Sequence, residues 1–253
     1  MLRQACSAAL VAGHAALRSL QYDECDIGLV VGVSLTLTPR TATAYAVAGM
    51  TSARGRSHAF DRRADGYCRG EACAAFALRT NEGPKGCNLP FLGSAVRQDG
   101  KSASLTAPSG PAQTGMLQAA LADGAVSPED VACNAAHGTG TPLGDPIEVR
   151  STKAALLAGR GDAEPLQIGS VKANCGHGEP AAGVLGIIRL AMGLMAGQAP
   201  PNAQLRVMNE HVASTMEGSA AGAMPVQIAD LPKLPNRAPN YAGGVSSMGY
   251  SGT

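Results

Sequence analysis

The sequence predicts an α/β protein in which helices and buried strands pack in layers, and three observations support this. The chain of 253 residues is 45% apolar, yet it has three Phe, no Trp and 32 Gly. Small side chains favour closely spaced layers, because the backbones can approach one another. Continuous apolar runs typical of buried strands alternate with segments of helical periodicity. Glycine-rich turns follow two of the predicted strands, where open α/β sheets carry their active sites.

The predicted elements alternate along the chain. Apolar residues at helical spacing predict a first helix over 7–20. Apolar runs at 27–33 and 72–78 predict strands that are buried on both faces. Further helices are predicted at 108–123, 146–159 and 179–190, the last as the central buried helix, and strands at 130–136, 167–171, near Val226 and at 241–247. The polar segment 200–224, rich in glycine and proline, is expected to cross the surface.

Composition and charge exclude several classes of function. Lysine and arginine total 20 against 19 acids, so the net charge of +1 gives no field that would attract nucleic acid. We find no apolar run of the about 18 residues that a membrane-spanning helix needs. These features predict a cytoplasmic protein. The alternative is a mitochondrial or plastid presequence at residues 1–21, which contain two arginines and no acid.

The seven cysteines form an odd-numbered set without a Cys-x-x-Cys pair. This pattern disfavours both a disulfide framework and a zinc cage, and it predicts reducing surroundings, mostly buried thiols and no metal site. Cys6 begins the first helix, where unpaired N–H groups and the helix dipole would lower its pKa. The alternative for Cys6 is an ordinary buried cysteine.

Two of the five histidines follow predicted strands. His137 begins the turn HGTGTPLGDPI, which leads into a helix, and Asp145 is expected to be the N-cap of that helix. His177 ends the segment GSVKANCGH, five residues after Lys172. The remaining histidines are interpreted as structural: His14 as packed or capped, and His58 and His211 as surface residues.

Five segments carry a family resemblance in the order 4–14, 61–71, 137–147, 169–177 and 244–253. Together they resemble the signature blocks of β-ketoacyl synthases, in the style of polyketide synthases and multifunctional fatty acid synthases. The resemblance covers the whole chain and implies a thiolase-like layered α/β/α fold. It further implies that residues 1–110 are the remainder of the N-terminal half, beginning at the nucleophile turn with the preceding part missing. Residues 111–253 would be the C-terminal half without its last strand.

The resemblance implies a decarboxylative Claisen condensation. Cys6 would accept the acyl chain as a thioester, and His137 and His177 would promote decarboxylation of a malonyl-type extender. Two neutral imidazoles that each donate an N–H would stabilise the enolate oxygen. The backbone N–H groups of Cys6 and Tyr250 would form the oxyanion hole for acyl transfer, with Tyr250 also as a gate. Lys172 would keep His177 neutral and anchored.

The same resemblance implies the substrate carrier and the partners. Thr139 and Thr141 would bind the phosphopantetheine arm of an acyl carrier protein, whereas the structural alternative is that they stabilise the turn. The chain itself would bind no cofactor, and a homodimer is expected. Gln4, Ala8, Ala9 and Met248 depart from the family pattern without removing a catalytic side chain. The alternatives are a thiolase and a catalytically inert fragment that acts as a binding or pairing module.

Overall fold

The computed structural model describes residues 5–80, 89–100, 107–160, 165–218, 221–232 and 241–253, so that Gln4 and Cys87 lie outside the described residues. The helices are α1 (Ala8–Gln21), α2 (Pro39–Val47), α3 (Gly110–Asp123), α4 (Gly144–Thr152), α5 (Lys172–Cys175), α6 (Ala182–Ala196) and α7 (Glu210–Met216). The strands are β1 (Ile27–Ser34), β2 (Ala72–Arg79), β3 (Val131–Ala135), β4 (Leu166–Gly169), β5 (Gln198–Ala199), β6 (Gly222–Ala223), β7 (Ala229–Asp230) and β8 (Ala242–Val245).

A four-stranded parallel sheet in the order β6-β4-β3-β8 forms the centre of the C-terminal part. One face packs on α6 through the buried residues Ala132 and Cys133 together with Leu190 of the helix. The other face carries the largest core cluster, in which Leu166 and Ile168 of β4 meet residues of the α4 and α7 region. Both faces of this sheet are therefore covered, which confirms the predicted α/β layering.

The antiparallel pair β1–β2 differs from the prediction, because β1 has one buried and one exposed face, and β2 has one half-buried and one exposed face. Along β1 buried and exposed residues alternate, and Val30 on the inner face packs with Ala9 of α1 and Val184 of α6. The outer face leaves apolar side chains between 45% and 67% exposed, namely Ile27, Leu29, Val31 and Val33. The prediction of strands buried on both faces is therefore wrong, because a continuous apolar run does not show how many faces other elements cover.

Helix α6 lies between the parallel sheet and the β1–β2 pair. A Cβ atom at Gly183 would lie 2.8 Å from Leu10 of α1, so the two helices meet at a distance that requires glycine.

Among the described residues, the stretch Glu179–Ala196 is long and apolar enough to cross a membrane by length and composition. The stretch includes the charged residues Glu179 and Arg189, so it is not an uninterrupted apolar run, and Val184 on its buried side packs against Ala9 and Val30. Met192 and Met195 near its end are each 67% exposed.

Several surface predictions are wrong. The segment expected to cross the surface contains α7 and buries Leu205 and Val212 in the main core. Two short strands, β6 and β7, flank the exposed Val226, where the sequence predicts one strand. His58 is 4% exposed instead of lying on the surface. Among the six described cysteines, only Cys6 and Cys133 are buried, so the expectation of mostly buried thiols is also wrong.

Candidate active site

Cys6 lies in a tight turn (Ala5–Ser7) that leads directly into α1. Ala5 has a φ of +48°, a backbone conformation that is unfavourable for any residue with a side chain. The turn is held from the far end of the chain, because the Ser247 hydroxyl donates to the Cys6 carbonyl at 2.7 Å. The Cys6 side chain is consequently presented at a fixed position beside the segment that follows β8.

Burial dominates the acidity of the Cys6 thiol. It raises the pKa to about 11, although the nearby Lys172 ammonium and hydrogen bonds to the sulfur from the backbone of Cys6 and Tyr250 lower it. The expectation that the helix start would give a low pKa is therefore wrong, because the residue is almost completely removed from water. The backbone hydrogen bonds of Cys6 and Tyr250 nevertheless converge at the sulfur.

His177 contacts Cys6 directly. Its Nε2 atom lies 3.0 Å from Cys6 Sγ. On the other side of the ring, the backbone N–H of Glu179 donates to Nδ1 at 3.1 Å. Because Nδ1 accepts a hydrogen bond, the proton of the neutral ring lies on Nε2 and is directed towards the sulfur. The Tyr67 ring packs edge-on against the imidazole with centroids 4.9 Å apart.

His137 follows β3 and has the same arrangement. Its Nδ1 atom accepts the backbone N–H of Met248 at 3.2 Å, and Lys172 Nζ lies 3.4 Å away. The neutral ring therefore also carries its proton on Nε2. The two imidazole centroids are 5.8 Å apart and the rings are almost perpendicular. The structure thus brings Cys6, His137 and His177 together, and both histidines offer an Nε2–H donor.

Lys172 is completely buried, and its ammonium contacts His137 instead of anchoring His177 as expected. Nζ donates to the His137 carbonyl oxygen and lies beside His137 Nδ1. The pKa values of both histidines are lowered well below the usual value, first by burial and then by the Lys172 charge. The ammonium therefore contacts His137 where the sequence predicts His177, and its charge also lowers the pKa of His177.

Two buried carboxylates, those of Glu148 and Asp145, hold the His137 loop. Glu148 accepts the backbone N–H groups of His137 at 2.6 Å and Gly138 at 2.7 Å. Asp145 accepts those of Phe60 at 2.7 Å and Gly140 at 3.1 Å, so it bridges two loops. The predicted N-cap at Asp145 is wrong because α4 already begins at Gly144. Burial raises the pKa of Glu148 to about 7 and that of Asp145 to about 6.

The remaining predicted site residues lie around this centre. The hydroxyl oxygens of Thr139 and Thr141 are 3.2 Å apart, and Thr141 also accepts the N–H of Gly144 at 3.2 Å. That contact matches the turn-stabilising alternative for Thr141. Thr139 is 8% exposed, whereas the Tyr250 side chain remains 46% exposed.

The cysteine and two histidines also resemble a set of metal ligands. Within the described part of the chain, one ligand atom from each of Cys6, His137 and His177 lies within 4.8 Å of the others. Zinc binding would need a thiolate and a free nitrogen lone pair on each ring. Both Nδ1 atoms accept backbone N–H groups, so each Nε2 carries a proton and the thiol has a raised pKa. The arrangement favours donation of hydrogen bonds over coordination of a metal.

Comparison with known proteins connects this site to a family. A sequence model of the β-ketoacyl synthase N-terminal domain matches residues 1–83, and one of the C-terminal domain matches residues 90–206. The chain is 39% identical to a phenolphthiocerol/phthiocerol polyketide synthase of Mycobacterium tuberculosis over 98% of its length, which is 13% of that protein. It is 40% identical to the erythronolide synthase EryA3 of Saccharopolyspora erythraea, again over 98% of the chain and 8% of that protein.

Solved structures agree with these sequence matches. The ketosynthase from module 6 of the Bacillus subtilis bacillaene synthase superposes with a TM-score of 0.86 and 31% identity, over 98% of this chain and 45% of that one. The oxazolomycin ketosynthase domain of Streptomyces albus gives a TM-score of 0.91 and 25% identity, over 99% of this chain and 44% of that one. The layered fold and its cysteine–histidine site define a member of the thiolase-like class. The chain belongs to the β-ketoacyl synthase family.

Proposed function

We propose that the chain carries the ketosynthase reaction of polyketide biosynthesis, a decarboxylative Claisen condensation of an acyl thioester with a malonyl-type extender on acyl carrier protein. One observation supports this most directly: a buried thiol faces two imidazoles whose Nδ1 atoms both accept backbone N–H groups. Such a site offers one nucleophile and two fixed Nε2–H donors. The similar proteins compared above are polyketide synthases or ketosynthases.

In the first step, Cys6 sulfur attacks the carbonyl carbon of the acyl thioester. The oxygen of the tetrahedral intermediate accepts the backbone N–H groups of Cys6 and Tyr250, which already converge at the sulfur. The carrier's C–S bond then breaks, the carrier leaves as a thiol with the proton of Cys6, and the acyl chain stays on the cysteine. The Lys172 charge assists by opposing the effect of burial on the thiol pKa.

In the second step, the extender thioester oxygen accepts the Nε2–H groups of His137 and His177. The C–C bond to the carboxylate breaks and CO2 leaves. The electron pair of that bond stays on the extender and forms an enolate, whose negative oxygen the two donors stabilise. The enolate carbon attacks the acyl carbon on Cys6 and displaces the cysteine as a thiolate. A proton from solvent then converts this thiolate back to the thiol. Neither imidazole has to give up its proton, which suits rings with strongly lowered pKa values.

The carrier and the assembly are part of the same proposal. Thr139 and Thr141 would bind the amides of the phosphopantetheine arm, because a tethered substrate needs fixed polar contacts beside the reacting atoms. The expected partners are an acyl carrier protein and a second copy in a homodimer. We assign residues 1–110 to the N-terminal half of the fold and residues 111–253 to the C-terminal half.

A second candidate is a binding or pairing module without catalytic activity. The exposed apolar face of β1 supports it, since contiguous apolar patches on a protein surface commonly mark contact sites. This face lies on the side of β1 opposite to α1 and α6. Activity of the purified chain distinguishes the two candidates.

Incubation with a radiolabelled acyl thioester tests the proposed function. We expect one label per chain that is lost in the Cys6→Ala variant and retained in Cys133→Ala, a matched control at the second buried cysteine among those that the structure describes. Addition of a malonyl thioester should then release labelled β-ketoacyl product and CO2. Absence of Cys6-dependent labelling would refute the condensation proposal and favour the binding module.

A further inference from the structure

An ion pair lies directly behind the imidazole of His177. Arg69 Nε donates to Glu179 Oε1 at 2.6 Å, and Nη2 donates to Oε2 at 3.3 Å. The two side chains are only 13% and 15% exposed. A two-point ion pair of this kind fixes the orientation of the carboxylate as well as its position. Neither residue takes part in the reaction steps proposed above.

Glu179 has an unusual backbone conformation. Its φ is +44°, in a region that residues with a side chain rarely adopt. The Glu179 N–H donates to His177 Nδ1 from this conformation. Because the backbone alone does not favour it, the surroundings must hold it, and the ion pair with Arg69 is the side-chain contact that does so.

The other contacts of His177 hold the ring but leave the position of its proton open. The His177 N–H donates to the Cys68 carbonyl at 2.7 Å, and its carbonyl accepts the Gly70 N–H at 2.9 Å. The edge-on Tyr67 ring limits rotation of the imidazole. None of these groups bonds to a ring nitrogen. The Cys6 thiol, 3.0 Å from Nε2, can either donate or accept a hydrogen bond, whereas the Glu179 amide can only donate, so the amide selects between the two neutral tautomers.

We propose that Arg69 and Glu179 are positioning residues, whose ion pair keeps the Glu179 amide on His177 Nδ1 and so keeps the ring proton on Nε2, facing Cys6. Arg69 acts through Glu179 and touches none of the proposed reacting atoms. The effect on condensation rests on the proposed function, whereas the effect on the tautomer does not.

The test uses the full chain with ¹⁵N-labelled histidine and three variants. Arg69→Met removes the charge and keeps most of the apolar stem, Arg69→Lys restores a charge, and Glu179→Gln removes the carboxylate charge. The matched control is Arg18→Met, which breaks the more exposed Arg18–Asp123 pair between α1 and α3. Long-range ¹H–¹⁵N spectra report the tautomer of His177, and circular dichroism confirms that each variant is folded.

We expect the wild type and Arg18→Met to show only the Nε2–H tautomer of His177. Arg69→Met and Glu179→Gln should show both tautomers, with Arg69→Lys in between. Condensation should fall by about 10-fold in Arg69→Met, the lower end of the about 10- to 100-fold that hydrogen-bond partners of ligand histidines contribute in metal sites. A folded Arg69→Met or Glu179→Gln with His177 unchanged would overturn the proposal. A changed tautomer in a chain that never condenses would instead leave this inference standing and refute the proposed function.

Discussion

Replacing His137 should separate the two steps of the proposed reaction, because the imidazole at hydrogen-bond distance from the Cys6 sulfur is that of His177. His177 Nε2 is 3.0 Å from Cys6 Sγ, whereas the His137 ring is held on its far side by Met248 and Lys172. His137→Ala removes one of two donors to the enolate oxygen and leaves the acyl-transfer oxyanion hole intact. A single donor of this type contributes about 3 kcal/mol, which corresponds to about 150-fold in rate.

Two assays on the same variant check this expectation. Release of CO2 from a malonyl thioester should fall by roughly 100- to 1,000-fold, while labelling of Cys6 by an acyl thioester should change by less than about 10-fold. His137→Gln, which keeps an N–H donor, should recover part of the loss. His14→Ala is the control, since His14 bonds to Ser94 away from the site. Equal losses of labelling and CO2 release in His137→Ala would refute the division of roles.

Three further expectations follow from the same site. Alkylation of Cys6 by iodoacetamide should accelerate with rising pH up to about 11, the value to which burial raises its pKa, and a midpoint near the ordinary value of about 8.5 would contradict this. Lys172→Met should raise the pKa of His137 in NMR titrations, because the neighbouring charge that lowers it is lost, and an unchanged titration would show that the Lys172 charge has no effect. Gly138→Ala should lower the free energy of unfolding in urea by about 3 kcal/mol, because its Cβ would lie 2.6 Å from Ser170 at a φ of +40°. The control Gly49→Ala also has a positive φ but open space around it, so it should lose only about 1 kcal/mol.

The order of strands and helices could be predicted because it depends on local apolar patterns. The first helix and the strands that precede the His137 and His177 loops lie within a few residues of their predicted bounds. The number of covered faces could not be predicted for β1, because it depends on which distant elements pack there. Val30 and Val31 are neighbours of the same type in sequence, yet one is buried and the other is exposed.

Within the site, proximity along the chain misled the assignment of partners. Lys172 is five residues from His177, but its side chain crosses to the end of β3 and contacts His137. Glu148 lies eleven residues after His137, and no single helix or strand contains both residues. The sequence nevertheless contains a signal for the role of Glu148, because an acidic side chain just after a glycine-rich loop can accept hydrogen bonds from the unpaired N–H groups of that loop.

The amides of Glu179 and Met248 belong to the main chain, and this has a consequence for mutational tolerance. Any residue except proline supplies an N–H at these positions, so an ordinary substitution can displace the N–H from Nδ1 but cannot remove the donor group itself. Random mutagenesis would therefore rarely identify these amides, although both imidazoles depend on them. Backbone ester replacement, which exchanges one N–H for an oxygen, is the chemical change that would expose their contribution.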